Sequence, residues 1–242
     1  MISNNKNFIT YAHRGASHYC PENTMMSFYM GMQMGANGIE TDVQITKDGV
    51  LVLFHDDTLE RVTGESGKIA DYTYDELCSF KVKEHGLYDL IPTFEDFLAH
   101  FSHRDITFAI EIKVAGIEQA VADMIIKFGL EKNTVVTSFS FEYIKNIKEY
   151  APQIAIGFLT VNTGDDVLKR LMDIGYEEIC PKGCDVTREK VEKWHKLGLN
   201  VRAWGIFDTT IMKNVYDAGA DGMTVNFPDK LLAYIEENKL KH

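Results

Sequence analysis

The sequence lacks most of what would place it in a membrane, on nucleic acid or among disulfide-rich secreted scaffolds. None of its 242 residues belong to an apolar stretch near the ~20 residues that a membrane span needs. The opening MISNNKNFIT has no basic segment leading into an apolar core, so no signal peptide is expected, and a cytoplasmic location is the default. Only four cysteines occur, Cys20, Cys78, Cys180 and Cys184, and no two form a CxxC pair. A zinc cluster is therefore not expected, and the thiols read as buried or idle. Positive charge is scarce, with 25 Lys and Arg against 36 Asp and Glu and a net charge of −11. Such a surface disfavours nucleic acid and anionic lipid, so neither a nucleic-acid partner nor stable membrane association is expected. It also repels phosphate at long range, so any phosphate site must be a local positive spot built by particular residues.

What is present is a regular alternation. Short apolar strands are expected at 8–13, 38–42, 106–112, 134–138, 154–159, 178–181, 200–205 and 222–226. Amphipathic helices are expected at 24–34, 94–100, 117–128, 141–150, 165–174, 188–197, 209–218 and 230–237. Eight strand–helix units predict a parallel sheet covered by helices, and the length suits a TIM (β/α)8 barrel, which runs to about 250 residues. Thr93 with Asp96 resembles a capping box, Asp208 is placed to cap the seventh helix, and Gly35, Gly129, Gly175, Gly198 and Gly219 each follow a helix. No linker or low-complexity stretch divides the chain, which reads as one domain over 1–242.

Two segments break the alternation. Residues 39–46 and 51–55 are β-type runs flanking Asp48-Gly49, which predicts a hairpin with a two-residue type I′ turn that sets Asp42 opposite His55. The stretch at about 56–91 has few helical repeats and many Gly, Thr and Tyr, and reads as a small insertion after the second strand. Long loops on the C-terminal side of a barrel usually serve the substrate.

The polar residues at strand ends carry the chemistry, because a barrel of this class works at the C-terminal ends of its strands. His13 and Arg14 end the first strand, Glu40 and Asp42 lie on the second, His55 ends the returning hairpin strand, Glu111 and Lys113 end the third, and Trp204 lies on the seventh. Glu40 and Asp42 are two apart, so they share one side of their strand, and like charges there repel unless a cation or proton intervenes. A lone Glu-x-Asp is more often exposed or salt-bridged. With Glu111 beside it the trio makes an oxygen-rich site for one divalent metal ion, Mg²⁺ or Ca²⁺. His13 and His55 form a candidate acid–base pair. Arg14 and Lys113 supply the positive spot for phosphate, although Lys113 could equally pair with Glu111. Trp204 is either barrel filler or a wall for substrate. Pro21-Glu22-Asn23-Thr24 reads as a helix cap, and His18, His85, His100, His103 and His195 read as surface or packing residues.

Taken together, Ala12-His13-Arg14-Gly15, Pro21-Glu22-Asn23-Thr24, Ile39-Glu40-Thr41-Asp42-Val43, Phe54-His55-Asp56-Asp57-Thr58-Leu59, Ile91-Pro92-Thr93 and Ile110-Glu111-Ile112-Lys113 resemble the motifs of bacterial glycerophosphodiester phosphodiesterases. The resemblance covers nearly the whole chain, and its order and spacing match. It implies a metal-dependent hydrolase acting on small glycerophosphodiesters such as glycerophosphocholine or glycerophosphoethanolamine, releasing glycerol 3-phosphate and an alcohol. It implies that His13 and His55 act as acid and base, that Glu40, Asp42 and Glu111 bind the metal, and that Arg14 and Lys113 meet the phosphate. One departure is Phe207, where family members often carry Asn a few residues after the Trp.

Three other functions fit parts of the pattern. A related phosphodiesterase would act on lysophospholipids or phosphoinositides, for which Leu87, Tyr88 and Leu90 offer some apolar surface. A barrel glycosidase would use paired carboxylates without a metal. A non-catalytic module would bind glycerophosphodiesters, but the presence of both histidines and all three carboxylates argues against a dead site.

Overall fold

The computed structural model describes residues 8–239. The N-terminal stretch 1–7, where most of the signal-peptide reading falls, lies outside the described residues. Eight strands run parallel: β1 (Ile9–His13), β2 (Gly38–Ile45), β6 (Thr107–Ile112), β7 (Thr134–Ser138), β8 (Ala155–Thr160), β9 (Glu178–Pro181), β10 (Asn200–Ile206) and β11 (Gly222–Val225). Each pairs with the next, and β1 pairs with both β2 and β11, so the sheet closes into a barrel and no parallel strand is left as an edge. The outer helices are α1 (Met25–Gln33), α4 (Phe94–Phe101), α5 (Glu118–Lys127), α6 (Phe141–Tyr150), α7 (Asp165–Asp173), α8 (Arg188–Lys196), α9 (Thr209–Ala218) and α10 (Pro228–Lys239). The TIM barrel expected from the alternation is the fold observed.

The main core lies between sheet and helices, where side chains such as Phe97, Phe108, Ile125, Ile144 and Leu231 are fully buried. The barrel interior is more polar. Arg202 is 1% exposed and donates to Glu178 at 2.8 Å and to the Cys180 sulfur at 3.3 Å, with its guanidinium 5.2 Å from the centre of the Tyr11 ring. A buried charge of this kind is tolerable only when paired and hydrogen-bonded. Burial pushes both the Cys180 thiol and the Tyr11 hydroxyl well above their ordinary values, so neither ionises. All four cysteines are free.

The helix ends follow the expected signals. Thr93 accepts from the Asp96 backbone N–H at 2.9 Å, although its hydroxyl rather than its backbone donates to the Asp96 carboxylate. Asp208 accepts from Thr210 and Ile211, and all five helix-ending glycines have positive φ.

The hairpin departs from expectation. β3 (Leu51–Leu53) pairs antiparallel with β2 as Val43 to Leu53, Gln44 to Val52 and Ile45 to Leu51. The loop therefore holds three residues, Lys47 to Gly49, with Gly49 at φ +88°. That is the turn-plus-bulge connection, not a two-residue type I′ turn. Thr46 stabilises it, accepting from Val50 N at 2.9 Å and donating to Asp48 at 2.6 Å. The extra residue shifts the register by one, so Phe54, not His55, lies across from Asp42 and donates to its carbonyl at 3.0 Å.

The insertion is more ordered than its composition suggests. It holds α2 (Glu60–Thr63), α3 (Tyr74–Leu77) and a second hairpin of β4 (Lys81–Glu84) and β5 (Leu87–Leu90). A separate apolar cluster of Phe54, Leu59, Val62, Ile69, Leu77, Val82 and Ile91 supports it.

Candidate active site

Strand ends deliver the predicted residues to one mouth. β2 lies between β1 and β6, and the registers set Glu40 beside His13 and Asp42 beside Glu111. One carboxylate oxygen each from Glu40, Asp42 and Glu111 lies within 4.8 Å of the others, and all three residues are buried. Burial, with repulsion from Asp42 and Glu111, pushes the Glu40 carboxyl well above its ordinary range. Burial and Asp42 likewise raise Glu111. Asp42 differs: burial would raise it, but Arg14 and Lys113 outweigh burial and hold it ionised far into acid. Asn23 donates to Asp42 Oδ2 at 2.9 Å, while Oδ1 accepts no hydrogen bond among the described residues and has Lys113 Nζ at 3.7 Å. A buried carboxylate oxygen without a donor, between two carboxyls that resist ionising, marks a place short of positive charge. The donor set is all oxygen and fits a hard divalent cation.

Arg14 and Lys113 stand against this trio. Lys113 Nζ donates to Glu111 at 2.8 Å, so the pairing weighed from sequence is made. Arg14 donates through NH1 to Glu22 at 3.0 Å and holds Nε 3.2 Å from Asp42. Burial would lower both cations, but Asp42 and the other carboxylates around them, Glu22 and Glu40 for Arg14 and Glu111 for Lys113, together outweigh it, so both stay charged. Arg14 sits at φ +54° and Gly15 at +81°. A Cβ on Gly15 would lie 2.2 Å from Ser27 Oγ, so the turn tolerates only glycine there. The left-handed Arg14 is held by Ser27 Oγ and Asn23 N, which both donate to its carbonyl, at 2.7 and 3.0 Å.

The two histidines are oriented in the same way. His13 Nδ1 lies 2.5 Å from Asn226 Oδ1, and His55 Nδ1 lies 2.7 Å from Asp56 Oδ1. Amide and carboxylate oxygens accept, so each ring donates from Nδ1, which leaves Nε2 as the nitrogen available for proton exchange. His13 Nε2 is 3.8 Å from Glu40. Burial, aided by Arg14, pushes His13 down to about 4, so it is a neutral imidazole at pH 7.

Several residues here escaped the sequence reading. Thr24 does cap α1, accepting from Ser27 N at 3.3 Å, but Glu22 and Asn23 of the same motif reach into the site. Asp56 and Asn226 orient the histidines, and Arg61 on α2 was not singled out. Arg61 donates twice to Asp56 and twice to Glu22, so it supplies the cation for a second close group, Glu22, His55 and Asp56. Burial would raise the Glu22 carboxyl, but its bonds from Arg61 and the nearby Arg14 lower it. The one available signal was that Pro-Glu-Asn-Thr has two polar residues beyond what capping uses. Trp204 is half-buried on β10, with its ring edge-to-face on Phe139 at 5.0 Å and its Nε1 buried without an acceptor among the described residues.

A closed (β/α)8 barrel with imidazoles, carboxylates and fixed cations at its C-terminal mouth has the architecture of a barrel hydrolase. Residues 13–230 match the model of the glycerophosphoryl diester phosphodiesterase family. A glycerophosphodiester phosphodiesterase of Bacillus altitudinis is 34% identical over 95% of this chain and 98% of its own length. One from Caldanaerobacter subterraneus is 30% identical over the same shares. An Oleispira antarctica phosphodiesterase, solved in complex with the product sn-glycerol-3-phosphate, superposes with a TM-score of 0.84 at 25% identity, covering 94% of this chain and 96% of that one. The protein described here belongs to the glycerophosphoryl diester phosphodiesterase family. No helix among the described residues is long and apolar enough to cross a membrane.

Proposed function

We propose that the protein hydrolyses small glycerophosphodiesters, such as glycerophosphocholine and glycerophosphoethanolamine, to glycerol 3-phosphate and an alcohol. The observation that carries this reading is the pair of imidazoles, each held by its Nδ1 partner with Nε2 left for proton exchange, beside a buried carboxylate trio and two fixed cations. Glu40, Asp42 and Glu111 would hold one divalent cation, Mg²⁺ or Ca²⁺. When bound, such an ion supplies a Lewis acid that neutralises charge developing on the diester and lowers the pKa of a hydroxyl.

Arg14 and Lys113 bind the phosphodiester anion, and their charge-assisted bonds strengthen as charge builds in the transition state. The glycerol arm, rich in hydroxyls, lies toward the carboxylates. Its 2-hydroxyl is already placed beside the phosphorus, and intramolecular attack is worth an effective molarity of about 10⁵ M or more. One imidazole enters neutral and its Nε2 takes the proton of that hydroxyl, while the other enters as the imidazolium and gives its Nε2 proton to the departing alcohol oxygen. The phosphorus–alcohol bond breaks, and water then opens the cyclic glycerol phosphate with the same two histidines in reversed roles. Asp56 and Asn226 keep both reacting nitrogens in the required tautomer.

The test is a panel of glycerophosphodiesters with release of glycerol 3-phosphate followed before chelation, after it, and with Mg²⁺ or Ca²⁺ restored. The proposal requires activity that chelation removes and a divalent ion restores, and that both His13→Ala and His55→Ala abolish. Chelator-resistant turnover of an aryl glycoside in place of the diesters would favour the glycosidase instead.

A further inference from the structure

The mouth of the barrel is divided into two unlike halves. The β1, β2 and β6 ends carry His13, Glu40, Asp42, Glu111 and Lys113. The other half is different, and side-chain alternation shows why. A Cβ on Gly157 would meet Thr137, Glu178 and Cys180, so these positions face the barrel interior, as does Arg202 against Glu178. Continuing each strand on the same side brings Phe139 after β7, Val161 after β8, Lys182 after β9 and Trp204 on β10 to the rim. These four positions carry one cation and no carboxylate.

Phe139 and Trp204 touch edge-to-face although β8 and β9 lie between their strands, so the pair reaches over those strand ends. Phe139 is 48% exposed, Val161 69% and Phe207 71%. Phe207 directly follows the end of β10, and its ring edge and the Lys182 Cγ lie 3.6 and 3.4 Å from where a Gly205 Cβ would be, which sets the ring near Lys182. Water gains nothing from contact with so much apolar surface in one place, and grouped exposure of this kind marks a binding surface. It is also continuous with the ionic half through β11, whose Asn226 holds His13.

We propose that this half-ring is a subsite for the departing alcohol of the diester, and that among the diesters the enzyme cleaves it prefers an apolar, uncharged alcohol over the ammonium-bearing ones. The inference rests on the hydrolase reading above. With the hydroxyl-rich glycerol arm on the carboxylate side, the second arm of the diester extends across the mouth to Phe139, Val161, Trp204 and Phe207. Lys182 makes no ion pair among the described residues, and its free charge disfavours an ammonium-bearing alcohol there.

The ethyl and n-hexyl esters of sn-glycerol 3-phosphate test this with the full chain. They share the same leaving-oxygen chemistry and differ only in apolar length. The expected result is a kcat/KM about tenfold higher for the hexyl ester, since several methylenes leave water on one side only. In Phe207→Ser that ratio falls to about threefold or less by the same transfer reasoning. Phe207 is mostly exposed, so the variant folds, and Phe139→Ser provides a second reading of the ratio. Equal kcat/KM for the two esters, or an unchanged ratio in both variants, overturns the subsite while the hydrolase stands. If 1-hexanoyl-sn-glycero-3-phosphoethanol shows the gain and the hexyl ester does not, the wall serves the glycerol arm and the assignment is wrong. If neither simple ester releases glycerol 3-phosphate while glycerophosphocholine does, the subsite fails and the hydrolase stands; if none of the three does, the hydrolase reading fails and the subsite with it.

Discussion

Arg61 ties the two sides of the site together, and replacing it with Met separates structural from chemical roles. The guanidinium donates through Nε and NH2 to Asp56 and through NH1 and NH2 to Glu22, the last two at 3.1 and 2.5 Å. Four charge-assisted bonds would suggest a large stability loss. The side chain is 46% exposed, however, so solvent screens the charges, and a cost of about 1 kcal/mol is the better expectation. For a chain of this length that lowers Tm by about 2–4 °C. Activity is more sensitive. Asp56 loses two donors and can rotate away from His55 Nδ1, and Glu22 loses the partner that holds it against Arg14. Partners that orient functional histidines are worth about tenfold to hundredfold in activity. The expected outcome is a kcat lowered by that factor with KM nearly unchanged. Arg61→Lys should restore only part of it, because an ammonium cannot fork to two carboxylates. The assay is steady-state release of glycerol 3-phosphate from glycerophosphocholine, with a melting curve on the same sample. A Met variant with wild-type kcat would refute the idea that Arg61 positions His55. A fall in Tm without any fall in kcat would make Arg61 a structural tether only.

Further outcomes follow from the same geometry. Glu40→Gln should weaken divalent-ion affinity and activity together while the fold survives; unchanged affinity by calorimetry would count against the carboxylate trio. Because Glu40 and Glu111 are held above the ordinary carboxylate range, protons compete with the cation and its affinity should go on rising with pH above that range. The raised folded-state values also mean that these groups favour the metal-free fold at low pH and cease to as pH climbs through them, so the cation-induced gain in Tm should grow with pH. A gain that is flat with pH would contradict this. Lys113→Met should lower kcat/KM by roughly tenfold to a thousandfold if a charge-assisted bond and some transition-state charge are lost; wild-type kinetics would remove Lys113 from the site. A diester built on 1,3-propanediol lacks the 2-hydroxyl and should turn over far more slowly than glycerophosphocholine, and equal rates would leave direct attack by water as the route.

The elements were largely legible in the sequence. The bounds of β7, β9, α6 and α9 agree with those expected from residue patterning. Periods of two and of 3.6 are local properties, written in neighbouring residues and needing no knowledge of the rest of the chain. The candidate residues His13, Arg14, Glu40, Asp42, Glu111 and Lys113 could be named for a related reason: a parallel barrel sends every strand's C-terminal end to one face, so the order of strands suffices, while His55 was named from the returning hairpin strand. The hairpin register was not legible, because Asp-Gly suits both a two-residue turn and the last two positions of a three-residue loop. The strand register and the bond from Val50 to Thr46 distinguish them.

The partners of the site were decided by the tertiary structure alone. His13 and Asn226 are 213 residues apart and meet because β1 closes the barrel against β11. Glu22 and Arg61 are 39 apart and meet because the insertion folds back over the β1–α1 turn. The division of the mouth into an ionic and an apolar half likewise depends on which strands become neighbours around the ring. Hydrogen bonds and ion pairs act over a few ångströms of space, without regard to separation along the chain, so the sequence determined which groups were available and the closure of the barrel determined which of them share one poorly solvated mouth.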